Sequence, residues 1–478
     1  MKAEFLEEPM LIFGEGKSIC PREGIANLKV YDTVEVARRD QLIIGIVGIE
    51  ENIEEMRGVL KIFERFIPAS ESGKQPGLFK EFPGFTQNKG FCAKMLYDSN
   101  YERIITPNEI EEIKKKEDRD DQIKQAVDIY AKHVDFLSNI KNCDVILCIV
   151  PKELEKYIVA EEEIEVEETA DDNEGPEFEL NFRRALKARV MISNKPIQLL
   201  KEESMKDKKS SQDRATKAWN LCTALYYKAL QTIPWKLDMD ENRPRACFVG
   251  IGFYRSRDKS TIQTSLAQIF NENGKGVILR GNTVKEDKED RIPHLEYDQA
   301  FSLLKDALEK YKFATGSLPG RIVLHKTSKY YQDELDGFED ALQDLHITEY
   351  DVVTIMETDL RFFRNNSYPP ARGTLIELTK DRYILYTRGS VHQYQTYPGM
   401  YIPAPLDIRI IKRSSSQKNI CREILGLTKM NWNSTQFDHK YPITIACARK
   451  VGEIMKSALV ISDRSKQWLR SFLKRAGL

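Results

Sequence analysis

Between Ala218 and Ser256 the chain reads AWNLCTALYYKALQTIPWKLDMDENRPRACFVGIGFYRS, and no other stretch limits the fold as tightly. Its first part has apolar residues at helical spacing and carries Lys228. Pro234-Trp235 then ends the helix, because proline has no amide to continue the ladder. The run CFVGIGFY at 247–254 is short, apolar and flanked by turn signals, which predicts a buried strand. One α/β unit therefore closes near Pro234 and another opens near Ala246. A chain of 478 residues is long enough to give each unit its own core.

Upstream, QLIIGIVGIE at 41–50 is a strand by length and β-branched content, and Asn52–Phe66 has helical spacing. Ser70–Gly90 is a loop by its Gly, Pro, Ser and Lys content. Pro107–Ile140 predicts one long amphipathic helix or a helix pair, and CDVILCIVP at 143–151 the next core strand. Strand, helix, strand in that order implies a parallel α/β layer. Helical and strand signals resume from Phe182. The second unit shows strands at 247–254, 275–281, 321–325, 351–356, 373–378 and 382–388, with helices at Tyr297–Phe313 and Asp333–Leu345. Further helices are expected at Pro442–Val460 and Ser465–Ala476. The expected organisation is an N-terminal entry segment at 1–40 that packs on the domain after it, a first domain at 41–240 and a second at 246–478.

No apolar run is long enough to span a bilayer, and MKAEFLEEPM has no signal-peptide core, so a cytoplasmic protein without membrane contact is expected. Eight cysteines without a metal-type CxxC read as buried free thiols. The net charge of −1 hides a segregation. Glu161–Glu179 holds eleven acids and no base, a mobile insertion in expectation, whereas Tyr401–Leu478 holds 15 Lys/Arg against 5 Asp/Glu. Such a division suits a phosphate-binding face beside a solvated acidic loop. Neither Gly14-Glu15-Gly16 nor VGIGF completes a dinucleotide loop.

The Lys228 helix, the Pro-Trp turn and CFVGIGFY, in that order, resemble the junction of the MID and PIWI domains in short prokaryotic Argonautes. PPARGT at 369–374 and NWNSTQFDHKYPITIACA resemble two further passages of that family. The resemblance covers roughly 40–478 and is specific from Phe182 onward. It implies an α/β chain with a Rossmann-like MID domain followed by an RNase H-like PIWI domain.

In that family a Tyr-xxx-Lys pair, a Gln about ten residues later and a second Lys hold the 5′ phosphate of a guide strand. Here the matching positions are Arg183, Lys187, Gln198 and Lys228, with Arg183 in place of the Tyr. Arg183 and Lys187 are spaced to share a helix face, and guanidinium offers both stacking and a bidentate phosphate contact. The C-terminal carboxylate of Leu478, with Gln198, is the expected ligand pair for a Mg²⁺ beside that phosphate.

The same resemblance places Gly252, Thr327 and Arg449 where nuclease members carry metal-binding acids or His. The fourth acid has no firm match, with Glu286, Glu289 and Glu296 available nearby, and Asp258 and His325 as other neighbours. A divalent ion gains nothing from Gly, Thr and Arg, so no catalytic residue is expected. Arg255, Arg257, Arg361 and Arg364 are expected along the guide and target backbones, positioning a duplex that base pairing specifies.

The function so implied is recognition of invading nucleic acid by a small guide RNA paired with complementary target DNA. Its partner is an APAZ-containing effector of TIR or sirtuin-like type, in a heterodimer that oligomerises on activation. Two readings stay open beside it: a guide-dependent recruitment module with no toxic effector, and an active guide-directed nuclease.

Overall fold

Two sheets, each covered by helices, organise the chain. A computed structural model describes residues 2–35, 38–70, 79–159, 181–191, 195–206, 212–239, 244–255, 262–270, 276–286, 292–363, 369–394, 397, 402–436 and 438–458. The acidic stretch 161–179 and the expected helix Ser465–Ala476 lie outside these residues.

In the first sheet, strand Gln41–Gly48 is central. Lys94–Leu96 and Glu102–Ile104 share one edge, and Val145–Val150 then Ile197–Lys201 extend the other. Every pairing is parallel. Strands covered on both faces must be apolar throughout, and all six residues of Val145–Val150 are buried. Val145, Leu147 and Ile149 face one core with the helices Glu50–Phe63 and Arg214–Leu230. Ile146, Cys148 and Val150 face another with Pro107–Lys114, Arg119–Asn139 and Phe182–Val190. This two-sided wrapping is Rossmann-like. The span expected as one helix or two is a pair. A Thr106–Glu109 capping box starts the first helix and the Asp118 side chain caps the second.

Among the described residues the second sheet has ten strands. Its order is Lys2–Phe5, Thr374–Thr379, Arg382–Leu385, Leu406–Lys412, Tyr350–Glu357, Arg321–Lys326, Ala246–Arg255, Ile262–Phe270, Gly276–Glu286 and Pro293–His294. Tyr350–Glu357, Arg321–Lys326 and Ala246–Arg255 run parallel, flanked by antiparallel strands. Helices Tyr297–Thr315 and Gln332–Asp344 cover one face. Gln417–Leu427 and the start of Ile443–Ala458 cover the other, giving an RNase H-like layer. Ile262–Phe270 and Leu406–Lys412 are strands beyond those expected. The core beneath Trp219 and Trp235 continues through Trp432 to Phe248 and Val323, so apolar packing is unbroken across the junction.

The entry segment does more than pack on the first domain. Lys2–Phe5 pairs with Thr374–Glu377 at the edge of the second sheet. Leu11–Phe13 and Gly16–Ser18 form a ribbon with Lys236–Leu237 at the junction. Glu8 fixes this strap, meeting Arg372 Nε at 3.0 Å and Lys429 Nζ at 2.7 Å. Both cations are fully buried, so losing the carboxylate would strand two charges.

Candidate nucleic-acid interface

Helix Phe182–Val190 begins where Asn181 Oδ1 accepts from the Arg184 amide at 3.0 Å, and it buries Phe182, Ala185, Leu186 and Val190. That burial leaves Arg183 exposed and Lys187 half-buried, one turn apart. Lys228 comes from the last turn of Arg214–Leu230, which Gln231 ends in the left-handed region at φ 55°. Gln198 sits on strand Ile197–Lys201, where its Oε1 accepts from Lys228 Nζ at 2.5 Å. The four residues selected by sequence thus converge from two helices and one strand.

A fifth belongs with them. Lys450, on helix Ile443–Ala458 of the second layer, acts electrostatically on both Lys187 and Lys228. Sequence reading passes over it because its partners lie some 220 to 260 positions away, although its place in a basic C-terminal region is a signal. Gly250 lets that helix close on the sheet: a Cβ there would lie 2.3 Å from Thr444 O. Arg184 then ties the two helices through Glu453 at 2.8 Å.

Burial, and after it Arg183, Lys228, Lys450 and Arg184, pushes Lys187 down to about 6. Burial, followed by Arg183 and Lys450, pushes Lys228 down to about 7. Among the described residues neither lysine pairs with an acid. Buried amines held together in this way give up protons near neutral pH, and the roughly two negative charges of a terminal phosphate would restore them.

At the other expected centre, Gly252 is buried in strand Ala246–Arg255 and pairs with Ser265. Thr327 is half-buried just beyond strand Arg321–Lys326. Beside them Lys326 is fully buried, donating to Glu334 Oε2 at 2.5 Å and Lys329 O at 3.0 Å. Its ammonium lies 4.9 Å from the ring centre of Tyr330 and 5.1 Å from that of Phe253. His325 is buried and neutral, pushed down to about 3 by burial and by Arg321, and bonded to Thr444 Oγ1 at 2.9 Å. Arg449 stacks 4.1 Å over the Tyr441 ring and places both terminal nitrogens 3.4 Å from Glu357 Oε1.

Glu296 is used in a capping box with Gln299, and Glu286 ends strand Gly276–Glu286. Asp258 and Glu289 lie outside the described residues. Among the described residues no group of three or more His, Cys, Asp or Glu is placed to hold a metal. Of the expected backbone arginines, Arg361 is exposed but turns to its own loop, donating to Thr358 O at 2.7 Å and Leu360 O at 2.9 Å. Arg255 is the last residue of its strand, while Arg257, Arg364 and Leu478 lie outside the described residues.

No protein-family model matches this chain, and no curated protein matches it in sequence. Solved structures do match in shape. Clostridium butyricum Argonaute, bound to a guide DNA (5′ deoxycytidine) and a 19-mer target DNA, superposes with a TM-score of 0.60 at 17% identity, over 95% of this chain and 53% of its own. Marinitoga piezophila Argonaute in complex with 5′ OH guide RNA gives 0.55 at 13%, over 96% and 58%, and Drosophila Piwi gives 0.55 at 15%, over 95% and 54%. The fold is that of Argonaute MID and PIWI domains. The chain spans about half the length of these proteins. The cluster of cations around Gln198 therefore lies where the MID-type layer meets the PIWI-type layer, and Gly252, Thr327 and Arg449 all lie in the PIWI-type layer.

A Mg²⁺ does not fit the described donors of the MID-type cluster on their own. Gln198 offers one amide oxygen, already engaged by Lys228, and the surrounding charges are positive. An ion there would need anionic oxygens from a phosphate and from Leu478.

Proposed function

We propose that this chain is the guide-loading, target-sensing subunit of a short prokaryotic Argonaute system. The observation that carries this reading is the convergence of Arg183, Lys187, Lys228 and Lys450 around Gln198, in which neither Lys187 nor Lys228 pairs with an acid among the described residues. Such a group recognises a strand's 5′ phosphate: the lysines regain their protons, the guanidinium adds forked donors, and Gln198 orients Lys228. The Argonaute fold supports a guide as the ligand, since structures sharing it are described with guide DNA, guide RNA and target DNA. By the sequence resemblance, the guide is RNA and the target DNA.

Cleavage is not part of this reading. At the PIWI centre Lys326 consumes Glu334, Arg449 engages Glu357, and Gly252 has no side chain to offer. Carboxylates already engaged by cations leave the ions of two-metal hydrolysis without a ligand set. Activity is assigned instead to an APAZ-containing effector partner, TIR or sirtuin-like, whose contacts with this chain must differ between target-free and target-bound states.

The test is to express the chain with its partner, sequence the co-purifying nucleic acid, and titrate 5′-phosphorylated against 5′-hydroxyl guides. Preference for the phosphate, lost in Lys187→Ala/Lys228→Ala, supports the reading. Equal binding of both guides by the native protein overturns it, and a guide-phased cut in Mg²⁺ or Mn²⁺ overturns its non-cleaving part.

A further inference from the structure

Where strand Tyr350–Glu357 ends, one carboxylate is bracketed by two cations and a phenol. Glu357 Oε2 lies 3.0 Å from Lys440 Nζ, and Oε1 lies 3.4 Å from both terminal nitrogens of Arg449. The Tyr441 hydroxyl donates to the same carboxylate, and its ring lies under both cations, 4.1 Å from the guanidinium and 4.9 Å from the ammonium. Its outer part faces water, the side chains of Glu357 and Arg449 being 51% and 41% exposed, while Lys440 at 13% and the buried Tyr441 form its floor. The exposed Arg449–Glu357 pair is worth at most about 1 kcal/mol, so another anion takes the guanidinium at little cost, and a phosphate that also reaches Lys440 keeps that less exposed ammonium paired.

A phosphodiester offers what the carboxylate offers, one negative charge shared by two acceptor oxygens, and guanidinium forks match it equally well. Immediately after Glu357 the chain also presents Leu360, 43% exposed, and Phe363, 80% exposed. Exposed apolar and aromatic side chains a few residues along the chain from paired cations suit a nucleic-acid backbone with its bases. We infer that Glu357 is a built-in stand-in for a phosphodiester, and that Arg449 and Lys440 release it to hold a backbone phosphate of the nucleic acid bound along the PIWI-type layer. This rests on the proposed guide-and-target function. It gives the position of the last catalytic acid a use in gripping a strand that is not cut.

The test compares the native protein, Arg449→Ala/Lys440→Ala and Glu357→Gln in two arms: guide strand alone, and complementary target on the guide-loaded complex, each across a salt series. Removing the cations is expected to weaken target capture about tenfold near physiological salt and to reduce the slope of log K against log salt by about one. Glu357→Gln is expected to strengthen capture several-fold by removing the competitor. Losses confined to the target arm assign the phosphate to the target strand, and losses in the guide arm assign it to the guide. Native capture with both variants unchanged overturns this site alone, as does weaker capture by Glu357→Gln with an unchanged melting temperature. A native protein that captures neither strand overturns the functional reading and this site together.

Discussion

Raising the pH from about 7 to about 8.5 is expected to weaken capture of a 5′-phosphorylated guide far more than capture of the same strand with a 5′ hydroxyl. In the free protein Lys187 titrates at about 6 and Lys228 at about 7, against an ordinary value of 10.5. Over this window the phosphate is already dianionic, its second pKa being about 6, so only the protein's charge changes. Each amine must take up a proton to pair. The added cost is roughly 30-fold for Lys187 and roughly 15-fold for Lys228.

If the bound phosphate restores both amines above the window, the product is a few hundred-fold, or roughly 3.5 kcal/mol. For the free protein the sign is opposite. Its folded lysines hold fewer protons than the unfolded chain from about pH 6 to 10.5, so stability rises with pH there and declines toward pH 6. Calorimetry in two buffers of different ionisation heat, with both guides, measures the uptake directly. One to two protons taken up on binding is the expected result. A phosphate preference that stays constant across the window, with no proton uptake, refutes the reasoning.

Lys187→Ala/Lys228→Ala should cost the phosphorylated guide several kcal/mol at about pH 7, at roughly 1.5–3 kcal/mol for each charged contact, with the melting curve retained. Gly250→Val should destabilise the fold and impair guide capture together, because its Cβ would press on Thr444 O at 2.3 Å and lift the Lys450 helix; urea melts and guide titration check both. Glu423→Ala should cost about 1.5–3 kcal/mol in urea denaturation, since it removes the charged contacts that Arg321 makes with Glu423, Nη1 to Oε1 at 2.7 Å, and leaves the guanidinium only its Asp351 partner at 2.6 Å. Guide-loaded protein with complementary DNA and Mn²⁺ should leave the target intact on a denaturing gel.

What the sequence made legible came from periodicity and local chemistry. Val145–Val150 is uniformly apolar because helices cover both faces, and Trp235 of the Pro-Trp turn packs in the core that the two sheets share, its Nε1 donating to Lys429 O at 3.0 Å. Ile262–Phe270 escapes such reading because register shifts interrupt its pairing at Gln263/Ser265 and Ser265/Gln268, breaking the two-residue alternation. Leu406–Lys412 does alternate, but Asp407 sits buried in the strand, where Arg382 at 2.8 Å and Arg409 at 3.1 Å neutralise it. At the candidate site, Lys187 and Lys228 stand out by spacing and resemblance. Lys450 and the Glu357 bracket depend on long-range packing, which one-dimensional patterns do not carry.

The pairing of Lys2–Phe5 with Thr374–Glu377 has a kinetic consequence. Closing so long a loop is entropically unfavourable, so this seam does not nucleate folding. On a ribosome adding about 5–20 residues per second, the first four described residues wait roughly 20 to 75 seconds for their mate to be synthesised. Phe5 remains 51% exposed even when paired, so this strand shows an aromatic side chain to water after that interval as well as during it.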